Sequence, residues 1–125
     1  ANDFAKIPHD PRWTDGSGLS RYNLFSPDDL VFILNRMKEE FGIQRITGIF
    51  PTGGNGTIKS YYNDLVGKIY AKTGTLSGVV TLSGFIQAAS GKWLIFSVLV
   101  NNHRTSAAMI RKGIEQFLSS ARNYY

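Results

Sequence analysis

One short segment orders the rest of the chain: residues 69–78 read IYAKTGTLSG. Its first residues are typical of a β-strand, and a long apolar β pattern follows at residues 79–89. Between the two lies a triplet, Lys72, Thr73 and Gly74, which places an ammonium group, a hydroxyl group and a bare backbone side by side. The segment therefore predicts a strand that carries a polar site near its end.

The triplet and the residue after it have the chemistry of an anion- and acyl-binding site. Lys72 would bring positive charge to an anion at the strand edge, and Thr73 would give that anion a short hydrogen bond. Gly74 lacks a Cβ atom, so an extended ligand could lie against the strand and share its backbone hydrogen bonds. The N–H of Thr75 would then be free to face a developing oxyanion. Three such residues also recur by chance in strands that end in a turn. The surrounding sequence therefore has to decide between a binding site and a simple strand end.

Length and composition indicate one small globular domain. The chain has 125 residues, of which 42% are hydrophobic and 18% are charged. The net charge is +5, but the basic residues are scattered, which favours a generic basic surface over a nucleic-acid site. Cysteine is absent and His9 and His103 are far apart, so we expect no disulfide and no metal site. No apolar run reaches the ~20 residues of a membrane span.

A helix is predicted near the start of the chain. Ser26 is a favourable N-cap, and Pro27 suits the first helical position. Apolar side chains then repeat at helical spacing over residues 27–41, and Gly42 is expected to end the helix. Trp13, in an irregular lead-in, is expected to be a core anchor. The helix is expected to bury one apolar face, formed by Leu30, Ile33, Leu34, Met37 and Phe41.

The second half of the chain is predicted to form an antiparallel sheet and a final helix. Residues 43–66 are rich in glycine and predict loops, with a short helix possible near residues 57–65. Strands are predicted at residues 68–72, 79–89 and 93–100, with a hairpin turn at Ser90-Gly91. The third strand is nearly all apolar and is expected to be central in its sheet. Thr105 or Ser106 then caps a helix whose apolar face is Ala107, Ile110, Ile114, Phe117 and Leu118.

Several motifs follow one another in a fixed order. DGSGLSR occupies residues 15–21, PTGGNGT residues 51–57, and AKTGTLSGV residues 71–79, which lead into LSGF at residues 82–85. This order resembles the C-terminal part of class C low-molecular-mass penicillin-binding proteins, the D-alanyl-D-alanine carboxypeptidase/endopeptidase family. The resemblance implies an α+β fold, with an antiparallel sheet (three strands here) flanked by helices. It would be a partial serine β-lactamase/DD-peptidase-like transpeptidase fold, with residues 1–125 as the C-terminal portion of a single penicillin-binding domain.

The resemblance also implies a function in the periplasm or cell envelope. It implies a serine acyl-enzyme mechanism on the D-Ala-D-Ala end of peptidoglycan stem peptides, and binding of β-lactams, without a cofactor. Lys72 would help proton transfer and hold the substrate carboxylate, Thr73 would hydrogen-bond that carboxylate, and Gly74 would leave room for the substrate strand. The Thr75 N–H would be one of two oxyanion donors, and Ser77 would contact the stem-peptide side chain.

The chain departs from the family pattern in its nucleophile. No serine is followed three residues later by lysine, and no Ser-x-Asn occurs. We therefore expect the nucleophile in a missing N-terminal part of the same enzyme, and expect this chain alone to be inactive. Without the strands of that part, residues 93–100 would be an apolar edge prone to self-association. Two alternatives remain: a non-catalytic module that binds peptide or cell-wall polymer, and a basic domain for anionic polymers or nucleic acid.

Overall fold

The computed structural model describes residues 3–125, with side chains from residue 5 onward. The elements follow the predicted α+β order of helix, loops, three antiparallel strands and helix. The helices and strands are α1 (Pro27–Ile49), β1 (Ile69–Leu76), β2 (Val79–Gln87), β3 (Trp93–Asn101) and α2 (Ala107–Tyr124), with short 3-10 helices at Asp3–Lys6, Gly56–Ile58 and Asn63–Leu65. Within these residues, neither α-helix is long and apolar enough to cross a membrane.

The first helix starts as predicted but continues further. Ser26 and Asp29 form a reciprocal capping box, with the Ser26 Oγ accepting from the Asp29 N–H and the Asp29 carboxylate accepting from the Ser26 N–H. Gly42 interrupts the helix with φ 74°, as expected, but the chain then resumes helical geometry as far as Ile49. The predicted loop at residues 43–49 is therefore wrong. Packing explains the difference. Helical geometry after Gly42 places the Ile46 side chain in the buried core, and this burial stabilises the helix more than local sequence preference disfavours it.

The three strands form one antiparallel sheet in the order β1-β2-β3. A two-residue turn at Ser77-Gly78 joins β1 to β2, and Gly78 takes φ 76° there. The predicted turn at Ser90-Gly91 joins β2 to β3. The expectation that the third strand is central is wrong for this chain: β2 is central, and β3 has no strand on its other side within residues 3–125.

Each face of the sheet is covered by one helix. On the first face, which we call the α2 face, Ile114 and Leu118 pack against buried residues of all three strands. On the opposite face, the α1 face, Leu34 and Ile46 pack against Phe85 of the central strand. Since side chains alternate along a strand, the two cores use alternate residues of β2.

Three residues predicted to lie in the core are exposed instead: Trp13 (63% exposed), Phe41 (45%) and Phe117 (59%). Trp13 packs edge-on against Phe25, and its indole N–H donates to the Asp15 carbonyl, so it stabilises a loop and not the core. Phe117 borders a groove between α2 and the edge strand β3. The sheet ends at β3, so it is too narrow to cover the whole apolar face of α2.

Candidate active site

The outer edge of β1 is paired at its start and open further along. β2 pairs with β1 on one side, and on the other side the Ala71 N–H donates to the Pro51 carbonyl over 3.0 Å. The backbone groups of an antiparallel strand point alternately to its two edges, so Thr73 and Thr75 face the same side as Ala71. Beyond Ala71, no backbone group of the described chain pairs with this edge. An extended ligand could therefore pair with β1 at Thr73 and Thr75.

The side chain of Lys72 lies against this open edge. Its Nζ donates a hydrogen bond to the Thr73 carbonyl oxygen over 2.6 Å, and the residue is exposed. That oxygen lies on the open edge and has no backbone partner within the described residues. The predicted cation and the predicted backbone site are thus adjacent, and a ligand carboxylate at the edge would meet the ammonium group directly.

A cavity of about 370 Å³ opens between α1 and the sheet beside Lys72 and Thr73. Two hydroxyl residues of β2, Thr81 and Ser83, also line it, and the sequence alone indicated no site role for them. Ser83 is in register with Lys72 on one side and with Ser97 on the other, and the two serine hydroxyls lie 2.8 Å apart. In the sequence, the available signal for this pair was that Ser83 and Ser97 each interrupt a largely apolar strand. The remaining wall is largely apolar and consists of Leu30, Ile33, Leu34, Ile49, Phe50 and Pro51.

Gly74 has a structural role in strand pairing. A Cβ atom at this position would collide with the Oγ1 of Thr81, its partner on β2. The same hydroxyl lies 3.4 Å from the Gly74 carbonyl oxygen. The sequence suggested that glycine leaves room for a ligand, and that remains a prediction. The structure adds that the glycine lets β1 and β2 pair closely next to the candidate site.

Changing Gly74 to alanine is expected to destabilise the chain by about 1–3 kcal/mol, because the new methyl group overlaps Thr81. The double variant Gly74→Ala/Thr81→Ala, which removes the hydroxyl, should recover most of that loss. Urea unfolding of both variants measures the difference. Gly113→Ala is the control, since a Cβ atom there meets nothing within 4 Å. Equal destabilisation of the single and double variants would show that the overlap is not the cause.

Two arginines, one before β1 in the sequence and one after it, donate hydrogen bonds to the end of β1 and the turn that follows. The Thr75 Oγ1 accepts a hydrogen bond from Nη2 of Arg111 on α2 over 2.9 Å. The Ser77 carbonyl, in the β1–β2 turn, accepts from Nη2 of Arg21 over 2.9 Å. Sequence reasoning missed both arginines. They are 36 and 56 residues from their partners, so no local pattern could have indicated them.

Arg21 belongs to a loop that is organised by Asp15. The Asp15 carboxylate accepts hydrogen bonds from the Ser17 hydroxyl, from the Ser17 and Gly18 N–H groups, and from the Asn23 side-chain amide. The hydrogen bond from the Ser17 hydroxyl is the largest cause that lowers the pKa of Asp15 below its ordinary value, against an opposing desolvation. Asp15 is therefore an anionic loop cap and is poorly suited to proton transfer.

Other titratable groups offer little additional chemistry. Burial, aided by the negative charge of Glu115, raises the pKa of Tyr62 to about 12, so its hydroxyl stays protonated at neutral pH. Within residues 3–125, no group of three or more His, Asp or Glu side chains is placed to hold a metal ion. The candidate site is thus a cation, a free strand edge and hydroxyl groups around a cavity.

Comparison with known proteins assigns the chain to a family of peptidases. The family model of the D-Ala-D-Ala carboxypeptidase 3 (S13) family matches residues 9–121, so the chain belongs to this family of peptidases. The family resemblance predicted from the sequence is thereby confirmed. The structure is accordingly a partial α+β fold of the DD-peptidase type, as the resemblance implied.

Three individual proteins show how the chain relates to this family. It is 32% identical over 116 residues to the D-alanyl-D-alanine carboxypeptidase DacB of Haemophilus influenzae, covering 89% of this chain and 24% of that protein. It is 35% identical over 103 residues to a D-alanyl-D-alanine carboxypeptidase of an Actinomadura species, covering 76% and 19%. The crystal structure of penicillin binding protein 4 from H. influenzae, complexed with a β-lactam, matches with a TM-score of 0.78 at 30% identity, covering 88% and 28%. The chain spans about a quarter or less of the length of the curated relatives it matches.

Proposed function

We propose that residues 1–125 are the C-terminal portion of the penicillin-binding domain of a serine-type D-Ala-D-Ala carboxypeptidase/endopeptidase. The complete enzyme would act on peptidoglycan stem peptides in the periplasm or cell envelope and would bind β-lactams covalently. Membership of the S13 family supports the reaction class. The absence of Ser-x-x-Lys and Ser-x-Asn from the chain supports an active site shared with an N-terminal part of the same enzyme.

Within that site, each residue of β1 has a separate role. The positive charge of Lys72 favours anionic groups in the site. Lys72 also assists proton transfer and holds the substrate carboxylate, to which Thr73 donates a hydrogen bond. Gly74 keeps the strand free of a side chain beside the substrate backbone. The Thr75 N–H stabilises the oxyanion of the tetrahedral intermediate, since a donor placed there in advance needs no reorganisation during the reaction. Ser77, in the following turn, contacts the stem-peptide side chain.

One observation carries this proposal: within residues 3–125, no backbone group pairs with the edge of β1 at Thr73 and Thr75, and this edge lies beside the Lys72 ammonium group and a cavity. A peptide that pairs with this edge would present its carboxylate to the cation and its scissile carbonyl to the Thr75 N–H. Cleavage of a peptide bound in this way also requires a nucleophile, and the chain contains no Ser-x-x-Lys motif to supply one.

Labelling with a fluorescent penicillin tests the proposal. The chain 1–125 is expected to remain unlabelled, whereas the full-length polypeptide, meaning the longest natural polypeptide that contains these residues, is expected to be labelled at a serine outside them. A stable adduct on a serine of the chain alone would contradict the division of the active site. Failure of the full-length polypeptide to react would contradict the enzymatic function.

A non-catalytic binding module is the second candidate, and the missing nucleophile motif favours it. The free edge and Lys72 would serve such a module equally well. If residues 1–125 bound a D-Ala-D-Ala peptide in a Lys72-dependent way, and no Ser-x-x-Lys segment preceded them in the full-length polypeptide, the binding function would replace the enzymatic one.

Self-association of the isolated chain is expected through β3, because no strand of the described residues pairs with its outer backbone groups and most of its apolar residues are half-exposed. A groove along β3 and α2 adds the exposed side chains of Met109 and Phe117. Light scattering of residues 1–125 should show dimers or larger species at high concentration, and Leu99→Lys should shift the distribution towards monomer. A clean monomer at high concentration would refute this expectation.

A further inference from the structure

Arg111 connects three parts of the structure at the end of β1. From α2 its Nη2 donates to the Thr75 Oγ1 over 2.9 Å, and its Nη1 lies 3.4 Å from the Tyr61 hydroxyl. Its guanidinium carbon also lies 5.1 Å from the centre of the Tyr61 ring. Tyr61 belongs to the loop before β1, so the arginine side chain joins a helix, a loop and a strand. Within the described chain, no backbone group pairs with Thr75 at the outer edge of β1, so the contact with Arg111 acts through its side chain.

This arrangement restricts the orientation of Thr75. A guanidinium group is planar and directs its donors at fixed angles, and the contact with the aromatic ring fixes its plane. Threonine is branched at Cβ, so its χ1 angle has few favoured values, and the hydrogen bond from Arg111 selects one of them. Holding its Oγ1 therefore holds the direction of the Cα–Cβ bond, and with it the backbone of the residue. Thr75 lies next to the last residue of β1, where a strand paired on one side only would otherwise fray.

We propose that Arg111 is a positioning residue for the Thr75 backbone N–H. It fixes the donor at the open edge through the threonine side chain and does not itself touch the substrate. The catalytic meaning of this role depends on the proposed function, in which that N–H stabilises an oxyanion. Such donors must be held within about 0.5 Å of their productive position, which explains why one threonine hydroxyl receives a dedicated arginine.

The structural part of this proposal is tested in the chain 1–125 by NMR. The Hα–Hβ coupling of Thr75 should report a single χ1 rotamer in the unchanged chain and an averaged value in Arg111→Met. Arg111→Lys, which keeps one donor, should retain part of the preference. Lys112→Met removes the neighbouring exposed charge and should leave the coupling unchanged. A single rotamer that persists in Arg111→Met would overturn the proposal.

The catalytic part is tested in the full-length polypeptide by the rate of acylation with penicillin. Arg111→Met and Thr75→Val should each slow acylation by about 10-fold or more, with little change in the affinity of the noncovalent complex. The double variant should be no slower than either single variant, because both act through the same hydrogen bond. Rates that multiply, or an unchanged rate in Arg111→Met, would refute the positioning role.

The two measurements separate failure of this inference from failure of the proposed function. If the unchanged full-length polypeptide is not acylated, the enzymatic function is wrong, and the Thr75 coupling still decides whether Arg111 fixes this residue. If it is acylated but the variants behave as the unchanged protein does, only the role of Arg111 is wrong. Thr75→Val keeps the test decisive if Arg111→Met fails to fold, since valine has the shape of threonine and lacks the hydroxyl.

Discussion

Replacing Lys72 by alanine is expected to slow acylation of the full-length polypeptide by penicillin by roughly 10²–10⁴-fold, the range for loss of a positioned proton-transfer group. The ammonium group lies at the open edge of β1, 2.6 Å from the Thr73 carbonyl oxygen. In the proposed function, its removal takes away both the positive charge for the substrate carboxylate and the assistance to proton transfer. Stopped-flow measurement of acylation against penicillin concentration gives both the rate and the affinity.

Lys68→Ala is the matched control for this prediction. Lys68 is also exposed, precedes β1 directly, and donates to the Gln87 side chain at a distance from the cavity. The control should stay within about twofold of the unchanged rate, as for most surface substitutions. Lys72→Arg keeps the charge and should fall between the two. Acylation that is insensitive to Lys72→Ala would remove Lys72 from the proposed catalytic group.

Local sequence signals predicted the elements well where the cause of the structure is itself local. The Ser26 cap, the break at Gly42 and the turn at Ser90-Gly91 each depend on one or two residues and their permitted backbone angles. The Ser106 cap of α2 is of the same kind, with its hydroxyl accepting from the Met109 N–H. These signals and the alternating strand pattern together gave the order of the fold.

Features that depend on distant contacts could not be predicted in this way. The helix after Gly42 forms because Ile46 packs beneath Phe85, which lies 39 residues further along the chain. Trp13 looked like a core residue by its type, but its partners are a ring and a carbonyl of a surface loop. The same limit applies to the apolar face of α2, where the narrow sheet leaves Phe117 uncovered.

The candidate site also combines residues that local sequence indicated with residues that only distant contacts bring together. Lys72 and Thr73 line the cavity, and their catalytic roles remain proposals. They lie in the middle of β1, which continues to Leu76, and not near the end of the strand as the sequence suggested. The residues that shape the site around them come from other elements: Thr81 from the pairing of β1 with β2, and Arg111 from the packing of α2. A short motif thus indicated a candidate site, while the geometry of that site depends on contacts that only the folded chain makes.

Gly84→Ala is expected to have the largest effect on stability, about 3 kcal/mol or more, at the upper end of the cost of overfilling a core. Gly84 lies buried in the central strand, directly opposite Ala71. An added Cβ atom would overlap the Tyr70 carbonyl oxygen and lie 2.6 Å from the Ala71 Cα atom. These are backbone atoms, which cannot move aside as a flexible side chain can, so β1 would have to separate from β2.

The displacement would reach the site, because Ala71 directly precedes Lys72 and its N–H forms the last paired position of the outer edge. Urea unfolding gives the loss of stability, and hydrogen exchange of the β1 amides should show the separation of the two strands. Gly48→Ala in α1 is the control, since an added Cβ atom there meets nothing within 4 Å and the variant should be neutral or slightly stabilising. If Gly84→Ala proved as stable as this control, the close approach of β1 to β2 that places Lys72 at the cavity would be wrong.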